Sequence, residues 1–200
     1  MKKTVIFMLT AALAFSLIGP ADAKKKKPKK TAPATPVSLQ FYLRSDEACE
    51  APFLSLTDAE DGDCIYGDTG FYDALGDDFT QNYVAADGVP LVLDVTKPVT
   101  GSIGIRGWNT AGGVGMAEID LVLLATIGGE EKELGTYNEA YTVGPAETHM
   151  VEFEMALDPA LAGLTVETLT LAVNSHGTTA GGRGVEHDEP VASMTIPALK

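Results

Sequence analysis

Two cysteines, three histidines and one run of carboxylates carry most of the chemistry available to this chain. Cys49 and Cys64 are the only thiols. In an oxidising compartment they would form one disulfide, and closing a loop of about 15 residues stabilises a fold by about 3 kcal/mol on the chain-entropy account. A metal centre on the same pair would need further ligands, and no histidine lies near either cysteine in sequence. Between them, "TDAEDGDC" places Asp58, Glu60, Asp61 and Asp63 on a glycine-bearing stretch. Calcium takes about six to eight oxygen ligands, so these four are the candidate ligands and calcium the candidate cofactor. The spacing departs from the EF-hand pattern, because Gly62 stands where that loop needs Asp or Asn. A solvated acidic loop is therefore the competing reading.

The histidines are His149, His176 and His187. Ser175 adjoins His176, but neighbours on a strand point to opposite faces, which makes them a poor nucleophile and base pair. "TGSIG" carries Thr100 where a nucleophile elbow needs glycine. His176 and His187 would meet if "GTTAGGRG" were a hairpin loop, and with Glu186 or Asp188 they would form a zinc or copper set. That is the basis of a metal-dependent hydrolase reading; histidines exposed in acidic loops are its alternative. "AGGVG" and "GGRG" do not stand between a strand and a helix, so they are expected to be hairpin turns and not phosphate loops. Among the aromatic residues in expected loops, Trp108 and Tyr72 are the candidate ligand contacts. A flat ring there can stack on a sugar face while nearby Asp and Asn bond its hydroxyls.

The elements that must position these groups are strands. Val37, Leu39, Phe41 and Leu43 alternate with polar partners, and Ala117, Ile119, Leu121, Leu123, Ala125 and Ile127 share one face of "AEIDLVLLATI". Val151, Phe153, Met155 and Leu157 repeat the pattern, and short apolar runs at "PLVLDVT", "SIGIRGW", "TLTLAVNS" and "ASMTI" bring the expectation to about eight strands. In "LDPALAGL", Asp158 can cap a short turn begun by Pro159. No window has a long helical period. The expected class is all-β, a two-sheet antiparallel β-sandwich of jelly-roll-like form, although alternation alone does not distinguish that wiring from an immunoglobulin-like one. One domain is expected over 37–200, with 45–88 read as a long acidic, disulfide-bearing loop region.

The first 23 residues have the order of a secretory signal: Lys2 and Lys3, an uncharged apolar run from Thr4 to Gly19, then Ala21-Asp22-Ala23. Cleavage there predicts a secreted or extracytoplasmic chain beginning at Lys24, with no transmembrane span after processing. The opposite reading, an uncleaved anchor with the domain inside, rests on the positive charge that follows the apolar run. Residues 24–36 form a basic, proline-rich linker. Lys24, Lys25, Lys26, Lys27, Lys29 and Lys30 carry six positive charges, whereas residues 31–200 hold 6 basic and 27 acidic residues, a net of −21. A domain of that sign repels nucleic acid and anionic surfaces. The lysine arm can act as a spacer or as an electrostatic tether to an anionic surface.

From about Pro90 to Leu199 the stretches "PLVLDVTKPVTGSIGIRG", "AEIDLVLLATIGGEEKELGTYNEAY" and "HMVEFEMALDPALAGLTVETLTLAVNS" together resemble the galactose-binding-like jelly rolls of the X-Pro dipeptidyl-peptidase C-terminal type. The resemblance is one of pattern, and it implies a stand-alone non-catalytic module with no site residues to transfer. The leading expectation is an exported, non-catalytic binding or adhesion module, glycan-binding and calcium-stabilised, with a polysaccharide or cell-envelope component as partner. A structural envelope protein tethered by its basic arm and a metal-dependent hydrolase at His176 and His187 are the alternatives.

Overall fold

The computed structural model describes residues 34–45, 52–56, 79–85, 90–107, 115–143, 147–177, 183–186 and 192–200. Ala34–Lys200 make one compact unit. Its strands are β1 (Pro36–Ser45), β2 (Pro52–Ser55), β3 (Phe79–Ala85), β4 (Leu91–Leu93), β5 (Val99–Gly107), β6 (Gly115–Ile127), β7 (Glu130–Val143), β8 (Thr148–Met155), β9 (Thr165–Val166), β10 (Thr168–Gly177), β11 (Arg183–Glu186) and β12 (Ser193–Leu199). The only helical element among the described residues is a 3-10 turn, Pro159–Leu161. As the sequence leads one to expect, Asp158 caps it, its Oδ1 accepting from the Ala160 amide at 2.8 Å. No helix among the described residues is long and apolar enough to cross a membrane.

The protein is an all-β sandwich. One layer has the order β8-β5-β12-β1, with β11 and β4 as short additions beside β5 and β12; the other has the order β3-β10-β6-β7. β2 pairs antiparallel with β1 and parallel with β3, so the two layers belong to one curled sheet. That parallel pair makes the sheet mixed where an antiparallel one was expected. The curl closes at its far side, where the last strands of the two layers, β7 and β8, pack together: Tyr137 and Phe153 have ring centroids 6.2 Å apart, and Tyr141 stacks on the His149 imidazole at 5.0 Å.

Apart from the β6–β7 hairpin, every step between consecutive long strands changes layer. This is jelly-roll wiring. It also corrects two expectations. "AGGVG" falls between β5 and β6 in sequence and "GGRG" between β10 and the start of β11; among the described residues neither pair of strands is hydrogen-bonded, so neither pair forms a hairpin, and residues 108–114 and 178–182 themselves lie outside the described residues. The tight hairpin is at Gly128 and Gly129, whose φ values of 63° and 79° fit a two-residue turn that a side chain would strain.

The inward faces are those the alternation marked. Ala117, Ile119, Leu121, Leu123, Ala125 and Ile127 are all buried, as are Phe41, Leu43, Val151, Phe153, Met155 and Leu157, and they join one hydrophobic cluster drawn from both layers. Each Leu, Ile, Val, Met or Phe side chain among them contributes about 1.5–3 kcal/mol on burial. β5 meets β8 closely at one place: Gly101 lies opposite Phe153, and a Cβ on that glycine would sit 2.3 Å from the Phe153 ring and 2.6 Å from the Ser193 carbonyl oxygen.

Two strands fall within 45–88, the stretch expected to be loop, and a third, β7, follows the turn at Gly128–Gly129. β3 turns Gln81 and Tyr83 inward, where the Tyr83 hydroxyl donates to Gln81 Oε1 at 2.9 Å. β7 carries a bulge: Leu123 faces Gly135 and Leu124 faces Glu133, so Leu134 is unpaired and buried. Both strands lack a simple apolar alternation, β3 because its inward residues are polar and β7 because the bulge shifts the phase.

Candidate functional site

The ends of several strands meet at one end of the sandwich. Ser175 on β10 is level with Phe79 at the start of β3, Gly177 with Ala117 near the start of β6, and Gly115 with Val143 at the end of β7. In the other layer, Arg106 near the end of β5 is level with Thr148 at the start of β8, and Gly107 with Arg183 at the start of β11.

At this end, the outer face of β3-β10-β6-β7 carries a continuous polar row. Register places Thr80, Asn174, Asp120 and Asn138 side by side, and the adjacent row holds His176, Glu118 and Ala140. Side chains in such rows stand close enough to bond across strands and along diagonals. Asn138 Nδ2 donates to Asp120 Oδ1. His176 Nε2 lies 3.3 Å from Asp120 Oδ2, and Asn174 Nδ2 donates to the Asp120 backbone carbonyl at 3.3 Å. Asp120 is therefore the hub: each of its carboxylate oxygens already faces a donor. Its side chain and that of His176 are 38% and 45% exposed, which leaves the cluster open to a ligand.

Beside the hub is an open depression of about 360 Å³ lined by Met116, Ala117, Glu118, Ala140, His176 and Gly177. Met116 is 69% exposed and forms an apolar wall. Gly177 keeps the bottom of the depression close to β6: a Cβ there would lie 2.8 Å from Ala117 Cβ and 2.9 Å from the Met116 carbonyl oxygen.

A second polar group sits where β7 meets β8. The Tyr137 hydroxyl donates to Glu139 Oε2 at 2.8 Å, and His149 Nε2 donates to Glu139 Oε1 at 3.0 Å. The hydrogen bond to Glu139, followed by partial burial and the carboxylate's charge, pushes the Tyr137 phenol above its ordinary range. Further in, the hydroxyls of Tyr141 and Ser175 are hydrogen-bonded at 2.9 Å. Of these, the Glu139–His149 bond links the two layers where β7 meets β8, and the Tyr141–Ser175 bond lies within one layer.

The residues singled out from sequence divide as follows. Ser175 and His176 do face opposite ways: Ser175 is buried against Tyr141, and His176 is on the outer face with Asp120. Among the described residues β10 and β11 are not paired and belong to different layers, so they do not form the hairpin that would bring His176 to His187. Cys49, Cys64, Asp58, Glu60, Asp61, Asp63, Tyr72, Trp108, His187 and Lys24 to Lys30 lie outside the described residues. No group of three or more His, Cys, Asp or Glu among the described residues is arranged to hold a metal ion. Asp120, Asn138, Asn174 and Glu118 had not been singled out as a site. Their signal was present as polar residues at alternate positions of β6, β7 and β10, but only the pairing of those strands makes them neighbours.

No family model and no curated protein matches the chain. Solved structures similar to it include that of infectious bursal disease virus, Gx strain, at 11% identity and TM-score 0.35, covering 64% of this chain and 32% of the viral one. The chain thus spans about a third of that protein's length. Another is a family 11 carbohydrate-binding module from Clostridium thermocellum in complex with a β-1,3-1,4-mixed-linked tetrasaccharide, at 12% identity and TM-score 0.30, covering 84% of each chain. Neither likeness is close enough to carry a functional argument.

Proposed function

We propose that the protein is an exported, non-catalytic binding module that takes carbohydrate across the outer face of β10, β6 and β7. The observation that carries this reading is the row Asn174, Asp120 and Asn138 with His176, held on three hydrogen-bonded strands beside an open depression with an apolar wall. A sugar presents hydroxyls that both donate and accept and a ring edge of C–H groups. Amides, a carboxylate and an imidazole fixed on a sheet match the first, and Met116 with Ala140 matches the second. Placing the polar groups on strands keeps the entropy lost on binding small. Asp120, with a donor at each oxygen, is suited to orienting a ligand and not to attacking one.

The test is retention of the purified protein on insoluble or immobilised polysaccharides, with an Asp120→Ala and Asn138→Ala double variant as control. Retention by at least one glycan, lowered about tenfold or more in the double variant, is the expected result, since each lost polar contact to a charged group weakens binding by about 1.5–3 kcal/mol. Failure of every glycan to retain the protein, with calcium present, would sink the reading.

Export, the Cys49–Cys64 disulfide, calcium bound by Asp58, Glu60, Asp61 and Asp63, ligand contact by Trp108 and Tyr72, and surface tethering by the lysine arm belong to the same proposal. They rest on the sequence features alone. The intact mass of the processed protein, thiol titration, a melt with and without calcium, and salt elution from envelopes test them in turn.

A further inference from the structure

Granting the carbohydrate reading, the depression also has a charge preference. We infer that it takes a sugar chain bearing free amino groups, with the ammonium of one unit set against Glu118. The two carboxylates on this face differ in their engagement. Asp120 is occupied by His176 and Asn138, whereas Glu118, two residues earlier on β6, lines the depression with no hydrogen bond or ion pair among the described residues. The exposed carboxylate therefore stands over a recess whose other walls are Met116, Ala117, Ala140, Gly177 and the His176 ring, whose Nε2 is turned to Asp120. An amino sugar fits both parts: its C–H face lies on the apolar wall, and its ammonium replaces the water around Glu118.

The surrounding field has the same sign. Residues 31–200 hold 6 basic and 27 acidic residues, a net of −21, which disfavours chains built from uronic acids and attracts cationic ones. N-acetylation of the sugar would exchange the ammonium for a neutral amide and remove the attraction. One exposed charge pair at about 4 Å in water changes affinity by about fivefold, and the domain's field adds to that at low salt.

Calorimetric titration of the full protein at about pH 6, where such amines are protonated, separates the possibilities. The probes are a glucosamine oligomer, its N-acetylated counterpart of equal length, a neutral glucan oligomer, a uronic acid oligomer and oligolysine. The glucosamine oligomer is expected to bind about fivefold or more tightly than the N-acetylated one, with the difference eroded by salt and abolished by Glu118→Gln. The substitution is nearly isosteric, and a thermal melt confirms that the variant is folded. Equal affinity for the two oligomers, or an undiminished preference in Glu118→Gln, overturns the inference while the carbohydrate reading stands. Tightest binding of the uronic acid oligomer overturns it as well. No binding to any sugar overturns both. Oligolysine binding as tightly as the amino sugar, and lost in Glu118→Gln, overturns it in favour of a basic protein partner.

Discussion

Gln81 and Tyr83 allow a test of how the core handles polar groups. Both are buried in β3, at 2% and 0% exposure, and the Tyr83 hydroxyl donates to Gln81 Oε1 at 2.9 Å. The amide nitrogen at the other end of Gln81, Nε2, is buried with no hydrogen-bond partner. An orphaned buried donor costs about 1–3 kcal/mol, whereas a satisfied neutral hydrogen bond contributes about 1 kcal/mol net. Tyr83→Phe alone should therefore destabilise the domain by about 1–3 kcal/mol, because Gln81 loses its acceptor bond as well. Replacing both partners, as Gln81→Met with Tyr83→Phe, removes the orphan together with the bond. The double variant should be as stable as the parent or more stable by up to about 2 kcal/mol. For a unit of this size, that corresponds to a Tm between unchanged and about 6 °C higher. Urea and thermal melts of the parent, the two single variants and the double variant provide the cycle. The reasoning fails if the double variant is less stable than the parent by more than about 1 kcal/mol, which would mean that Nε2 has a bound water or other partner worth keeping.

Gly101→Ala should destabilise by about 1–3 kcal/mol or more, read by urea melt, because the Ser193 backbone oxygen at 2.6 Å cannot move aside as a side chain can; a neutral result would mean that β5 and β12 separate easily. Asp94 provides an acid-side prediction. The Thr96 hydroxyl donates to its Oδ1 at 2.5 Å, and chiefly for that reason its carboxyl titrates below the ordinary value of 3.8. A lowered folded-state value gives stability that is present above about pH 4 and lost as pH falls below it. Thr96→Val should reduce that acid-side loss, seen as a shallower drop in Tm between about pH 4 and pH 2; an unchanged slope would remove Thr96 as the cause. Tyr137 gives the opposite sign at the alkaline end. Its phenol titrates above 10.0, so its contribution is complete below that pH and is lost as pH rises through the folded-state value. Glu139→Gln should diminish this loss, as followed by the phenolate absorbance during alkaline titration.

The class of fold was legible because alternation is local. Ile119, Leu121 and Leu123 can be hidden together only if their backbone is extended, whatever the strand later pairs with. The Asp158 cap was legible for the same reason, being set by a few neighbouring residues. β3 and β7 escaped because their inward positions do not look apolar: Gln81 is matched by Tyr83 two residues on, and Leu134 sits in a bulge that changes which parity points inward.

The candidate site was not legible as a site, although every residue in it was in view. Sequence alone offers His187 as the partner of His176 and gives Asp120 no partner. What joins His176 to Asp120, and Asp120 to Asn138, is the register of β10 on β6 and of β6 on β7, which spans up to about 60 residues of chain. Taken alone, the sequence determines that this chain forms strands, where most of them run, and that its folded part is strongly acidic. Which strands lie side by side, which consecutive strands form hairpins, and which polar side chains form one surface are decided by tertiary structure. Side-chain alternation constrains only the two faces of each strand. Its edges are the same hydrogen-bonding backbone in every strand, so the choice of partner is made by how all the faces can be buried at once.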